Sequence, residues 1–358
     1  MPDMYEITDK SLTDIQYVLN PSFSCEDVET LESKNTWARA LDGTEYMPGL
    51  IGLNNMKAND YVNVILQALI RISPLRDFFL RRENYAHCSS PLVERFGELV
   101  RKTWNAKAFK GHVSPHEFMQ AVISSSSKRF LIDKQSDPVE LYSWLLNTLH
   151  ADLTGGKRKK PSIIAECLQG EIEVTTEAGT GKAKDSEHDI VDLVPFLLLT
   201  LDLPPAPLFK DATLEKVTIP QIPIFDLLKK FDGQTIQDDV RLGRRKMRIT
   251  RLPKYLALHV KRFLKNQFFV EKNPTIVNFP VKGLDLGACI PLPPGQSAVY
   301  DLVANIVHEG DLQGGSYKVH VHRQSEGAWY EVQDLRLLDV LPQVVVLSEA
   351  YLQVYCLR

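Results

Sequence analysis

Apolar residues recur at spacings of three and four through the first half of the chain, the mark of helices with one buried face. Val62, Ile65, Leu66, Leu69 and Ile72 form one such face. Asn59 and Asp60 stand just ahead of it, where a short polar side chain can accept the free N–H groups of a first turn. The Gly- and Asn-rich run before them continues a helix poorly and predicts a tight loop. A second helix is expected over Pro91–Trp104, with Leu92, Phe96, Leu99 and Val100 on one side. A third begins at Ser114-Pro115, a cap followed by Pro at the first helical position. A fourth runs from Asp137-Pro138 to Leu153, with Leu141, Leu145, Leu149 and Leu153 one turn apart.

After the basic loop at residues 155–161 the texture changes to short β-like runs. Ile172–Thr176 alternates, and Phe196–Leu203 is a solid apolar run of the buried-strand type. Pro220–Phe231 holds one short helix. Met247, Ile249 and Leu252 alternate in part with Lys246, Arg248 and Arg251, which predicts a strand with one basic face. Tyr255–Phe263, Tyr300–Val307, Tyr317–His322 and Trp329–Val332 complete a β-rich second half. Helices first and antiparallel strands after make the class α+β. Residues 1–45 read as an extension with two short helices, each starting at a Ser with an acid three residues on (Ser11 and Ser24).

Composition narrows the picture only a little. The 358 residues are 44% hydrophobic and 24% charged, the balance of a soluble globular chain. No run of about 18 apolar residues predicts a membrane span, and the N-terminal residues lack the pattern of a signal peptide. A net charge of -3 gives no global attraction to nucleic acid or anionic lipid. The five cysteines are odd in number and far apart, which suits free thiols in a reducing compartment.

The candidate chemistry begins at Gly52–Ile72. A loop that delivers one polar residue to a helix N-terminus is how cysteine hydrolases present a nucleophile, because the positive end of the helix stabilises a thiolate. The delivered residue here is Asp60. Gly52, Leu53, Asn55, Tyr61, Asn63, Leu66 and Gln67 nevertheless stand in the register of the cysteine box of the ubiquitin-specific proteases, which this stretch resembles. Asp60 then occupies the cysteine position, Asn55 the oxyanion-type position, and Lys57 that of a usual Gly.

Three later blocks resemble the same family in the right order. Leu252–Phe263 resembles the core palm strand that ends in Lys-Arg-Phe, read physically as a buried strand whose basic end emerges at the surface. Gln135–His150 resembles the helix whose acidic pair grips the basic tail of ubiquitin, with Asp137 and Glu140 on that pair; the plainer reading is two acids in a helix's first turn. Tyr300–Val321 with Trp329–Asp334 resembles the histidine box. Ser316 replaces its general base, Gln333 replaces the orienting Asp, and Asp334 matches the acid that follows.

The resemblance covers residues 46–358 as one domain and implies the ubiquitin-specific protease (papain-like) fold, with a helical thumb and β-rich palm and fingers. Residues 1–45 resemble a linker that follows a zinc finger. The three replacements, with residues 268–280 and 347–355, resemble a splicing branch of the family that works without protease chemistry. That branch implies a nuclear, non-catalytic scaffold whose partners are spliceosomal tri-snRNP proteins. An active deubiquitinase and a ubiquitin or ubiquitin-like binding module stay open beside it. Direct RNA contact through residues 241–248 or 155–161 ranks fourth, since charged hairpin tips are usually solvated. Asp334 with Asp60, or Ser316 with His320 or His322, or His308, offers no complete alternative catalytic set. No cofactor is expected. A zinc site at the finger tip needs Cys-x-x-Cys pairs, and only Cys167 lies between Phe130 and Arg251.

Overall fold

The computed structural model describes residues 20–31, 37–157, 160–180, 188–205, 219–239, 242–265, 270–288, 290–291, 295, 298–310 and 314–358. The expected helix at Ser11 lies outside them. The chain divides into two units, Met1–Ile163 with Arg323–Asp339, and Ile164–His322 with Val340–Arg358.

The first unit is the helical one. Its central helix, Asp60–Leu69, is buried at every residue. The face predicted from Val62, Ile65, Leu66 and Leu69 is therefore only part of what the helix hides, and Asn63 and Gln67 go inside too. It packs against Pro138–Thr154, whose Leu141, Leu145 and Leu149 are fully buried. That second helix starts as expected: the Asp137 carboxylate accepts the Val139 N–H at 2.8 Å, and Gly155 ends it in the left-handed region at φ 60°. Pro91–Trp104 matches its predicted bounds, capped by Ser90 and not by a residue named beforehand. The helix expected from Ser114-Pro115 begins later, at His116, and has no side-chain cap. Phe79 meets Phe96 edge-on, and Phe96 lies tilted against Phe118, which ties the short Ser73–Leu80 helix to its neighbours. The Ser24 expectation holds, with a reciprocal capping box at the start of Cys25–Thr30.

The second unit is built from sheets. A four-stranded antiparallel sheet runs in the order Ile190–Phe196, Gly170–Thr176, Gly243–Arg251, Asp232–Asp239. In the larger, eight-stranded sheet, Tyr255–Lys261 is an apolar strand next to the end strand Leu199–Asp202. It pairs parallel with Leu199–Asp202 and antiparallel with Ala350–Leu357. Ala350–Leu357 pairs with Val299–Glu309, and that strand with Ser316–Arg323. Leu256, Leu258, Val260, Ile306, Val319, Leu352 and Val354 are all closed to solvent.

Two expectations are corrected here. The apolar run Phe196–Leu203 is not one buried strand. The chain changes sheets at residues 197–198, so Phe196 ends an exposed strand of the first sheet and Leu199 opens a buried one in the second. The basic end of Tyr255–Lys261 does not all emerge either. Lys261 does, but Arg262 turns inward and is fully buried. Its guanidinium donates to the carbonyls of Ala350 at 2.6 Å, Thr275 at 2.6 Å and Asn273 at 3.1 Å. A planar fork spreads its donors over three nitrogens in fixed directions, so it reaches carbonyls that are set apart, whereas an ammonium directs all its donors from one point. Burial lowers its pKa to about 10, so the charge is retained at neutral pH.

Arg262→Ala strands three buried carbonyls, and each unmet acceptor costs about 1–3 kcal/mol. The variant should lose about 3–5 kcal/mol in urea unfolding, and Arg262→Lys should recover only a minor part. Equal midpoints for Lys and wild type would show that charge, not the fork, is what counts.

Candidate functional site

The loop at residues 54–59, after the short strand Gly52–Leu53, is held by its own asparagines. Asn59 precedes the helix but does not cap it through its side chain. Its Oδ1 accepts the Met56 N–H at 2.7 Å, and its Nδ2 donates to Asn54 O at 3.2 Å and Asn63 Oδ1 at 3.1 Å. Asn55 Oδ1 accepts the Asn59 N–H at 3.3 Å, and the Ala58 N–H reaches Ile132 O at 2.9 Å. Lys57, in the place of a glycine, sits exposed and outside the left-handed region, so the loop closes without needing Gly there.

Asp60 is the first helical residue and only 5% exposed. The expectation that Asn59 supplies a side-chain cap is corrected. As a first-turn acid, Asp60 still meets the positive end of the helix, and its Oδ2 accepts Gln135 Nε2 at 2.7 Å. Gln135 belongs to the stretch that carries the acidic pair. Of that pair, Asp137 is engaged as the helix cap and Glu140 meets Arg129 at 2.8 Å in an exposed ion pair.

Asp334 joins the site from the far end of the chain. It follows the Ala328–Gln333 strand, which lies against the Asp60 helix, and holds a left-handed φ of 53°. Its Oδ2 accepts Asn55 Nδ2 at 2.9 Å and its Oδ1 accepts Asn63 Nδ2 at 2.7 Å. Its backbone carbonyl accepts the Leu53 N–H at 3.0 Å. Gly52 permits this approach, because a Cβ there would stand 2.9 Å from Leu335 Cα and 3.1 Å from Asp334 O. One carboxylate thus fastens both the loop and the helix.

Asn55, Asp60 and Asp334 therefore come together in the first unit, with Gln333 beside Asp334 in the chain. Ser316 lies in the second unit, where it opens its strand opposite Glu309. Two members of the site escaped sequence reasoning. Asn63 was visible only as a motif match, although a polar residue within a helix buried on all sides must find a partner. Gln135 stood only as the first residue of the Gln135–His150 motif, with no role of its own.

Two of the histidines weighed as alternative catalysts, His320 and His308, are buried. His320 is fully buried with Nδ1 3.4 Å from Asn305 Nδ2. His308 is 4% exposed and meets Phe263 and Tyr317 edge-on. The basic strand is partly answered by its neighbour: Arg248 pairs with Glu173 at 3.0 Å and Arg244 with Glu177 at 3.0 Å. Among the described residues, no three His, Cys, Asp or Glu side chains gather as metal ligands, and no helix is long and apolar enough to cross a membrane.

Residues 51–355 match the ubiquitin carboxyl-terminal hydrolase family. The chain belongs to that family. It is 45% identical to human ubiquitin carboxyl-terminal hydrolase 39 over 379 residues, covering 99% of this chain and 67% of that one. It is 36% identical to the probable mRNA-splicing protein ubp10 of Schizosaccharomyces pombe, covering 99% of this chain and 74% of the relative. The fold superposes on the crystal structure of an essential yeast splicing factor with a TM-score of 0.76. That match is 25% identical and covers 97% of this chain and 78% of the other. The mixed helices and sheets are thus those of the family fold.

Two predictions follow from the site. Asp334→Ala removes the acceptor of two charge-assisted bonds and leaves Ala at a left-handed φ. Since such bonds contribute roughly 1.5–3 kcal/mol each, it should destabilise by about 2–4 kcal/mol in chemical unfolding. Asp334→Asn keeps the tolerated φ and one acceptor and should lose less; the reverse order would refute the clamp. His308 gives a pH test. Burial, then nearby Lys272, lowers its pKa from 6.5 to about 4, so the unfolded chain takes up a proton that the fold refuses. Stability should be level above pH 6.5 and fall as pH drops towards 4, by on the order of 2 kcal/mol from this group. His259, also lowered to about 4 by burial, acts in the same window. His308→Phe should flatten the slope of unfolding free energy against pH; an unchanged slope would count against it.

Proposed function

We propose that this chain is a non-catalytic protease-fold scaffold acting in pre-mRNA splicing, where it supports assembly or stability of the spliceosomal tri-snRNP through protein–protein contacts in the nucleus. The observation that carries the reading is the state of the Asp60 loop. The nucleophile's place holds a carboxylate bonded to Gln135, and the Asn55 amide, the oxyanion-type donor, is committed to Asp334.

The chemistry follows from that arrangement. A carboxylate needs no base in order to attack, but its adduct with an amide heads towards an anhydride. The carboxylate leaves far more readily than the amine, so the adduct collapses back. Ser316 cannot carry a proton between steps at neutral pH, and Gln333 has no charge to stabilise an imidazolium. Losing single members of such a triad already costs on the order of 10⁴–10⁶ in rate. Splicing is supported by the likeness to the probable mRNA-splicing protein of fission yeast and to the essential yeast splicing factor. The ubiquitin-binding alternative ranks behind, because Asp137 is spent as a helix cap and Glu140 already faces Arg129. The domain we propose spans residues 46–358; Ala38–Arg39, just before it, pairs with Glu45–Tyr46.

Purified protein should release no fluorophore from a ubiquitin C-terminal amide above the buffer rate, beside an active family member as control. In splicing extract depleted of the native protein, Asp60→Ala should restore splicing as well as wild type. Turnover that Asp60→Ala abolishes, or failed rescue by a folded Asp60→Ala protein, would overturn the scaffold reading.

A further inference from the structure

The four-stranded sheet ends on Ile190–Phe196, and among the described residues no strand pairs with its outer side. This edge is unusually apolar. Val191 is 57% exposed, Leu193 61% and Val194 40%. Sheet proteins normally blunt an open edge with Lys, Pro or a bulge. Here only Pro195 interferes, near the end, and the strand runs in unbroken register against Gly170–Thr176. Val191 and Leu193 point to one face, beside Thr175 and Glu173; Asp192 and Val194 point to the other.

Charge is distributed unevenly across the sheet. The edge strand has no Lys or Arg, and its neighbour contributes Glu171 and Glu173. Those two acids are engaged, Glu173 with Arg248 and Glu171 with Thr250. Asp192, at the middle of the open strand, has no side-chain partner among the described residues. An edge of this kind offers backbone groups for pairing, an apolar row on one face and an uncompensated carboxylate on the other.

We infer that Ile190–Phe196 is a docking edge that accepts an extended segment of another protein as a fifth strand. The segment places apolar or β-branched residues beside Val191 and Leu193 and a Lys or Arg beside Asp192. Main-chain bonds then supply affinity and alternate side chains supply choice. A second copy of this chain fits less well, because antiparallel self-pairing about Leu193 sets two Asp192 carboxylates diagonally across one face. The inference rests on the scaffold reading only in taking the partner to be a protein.

The test uses the full chain and a synthetic peptide, acetyl-Thr-Val-Arg-Val-Arg-Val-Thr-amide, followed by fluorescence anisotropy and amide hydrogen exchange. The peptide should bind and protect amides within 190–196. Replacing its Arg residues by Glu should weaken it about fivefold, and Asp192→Lys in the protein should invert that preference. Leu193→Lys, at an exposed position that leaves the unfolding midpoint unchanged, should weaken binding at least tenfold. No protection at 190–196, binding indifferent to Asp192→Lys, or self-association that Leu193→Lys removes would each overturn the inference. Isopeptidase turnover with intact peptide binding would instead overturn the scaffold reading alone.

Discussion

The bond set around Asp334 is the constraint on which the site depends. A loop rich in Asn has little conformational preference of its own, and a helix buried on every face cannot leave Asn63 unanswered. A single carboxylate meets both needs by accepting from Asn55 and from Asn63. The arrangement requires a close backbone approach at Gly52 and a left-handed φ at Asp334. An Asp tolerates that conformation better than most residues, and the hydrogen bonds offset the remaining strain. Asn55, Asn63 and Asp334 thus hold a loop, a helix and a returning strand together.

Arg262 plays the corresponding role in the second unit. Where Asp334 gathers donors, Arg262 gathers acceptors, closing three carbonyls between the core strand Tyr255–Lys261 and the short strand Phe263–Lys265. Both are charged groups drawn inward and surrounded by opposite partial charges, the condition under which burying an ion is tolerable. A fold organised around such points stays rigid without needing a reactive centre. That separation of framework from chemistry is what allows the proposed role as a scaffold.

The surface shows a similar division. The cross-strand pairs of Arg244 and Arg248 with Glu177 and Glu173 turn a basic-looking sequence into a mixed, partly compensated sheet face. The strand beyond them stays uncompensated, apolar and carrying Asp192. Charge read along the chain and charge read across a sheet therefore point to different candidate contact surfaces.

Periodicity alone determined the helices at Asp60, Pro91 and Pro138, most of the strands and the α+β class, because burial of one face imposes a repeat that sequence displays directly. The ordered motifs likewise identified the family, since residue identity at fixed spacing needs no coordinates. Only the tertiary structure decided what the side chains do. Asn59 was legible as a cap but bonds within its loop. Arg262 was legible as a surface charge but lies in the core, and Phe196–Leu203 was legible as one strand but serves two sheets. The Asp334 clamp joins residues 271 and 279 positions apart in the chain. Local pattern records which face of an element is buried; it holds no record of which distant partner waits there.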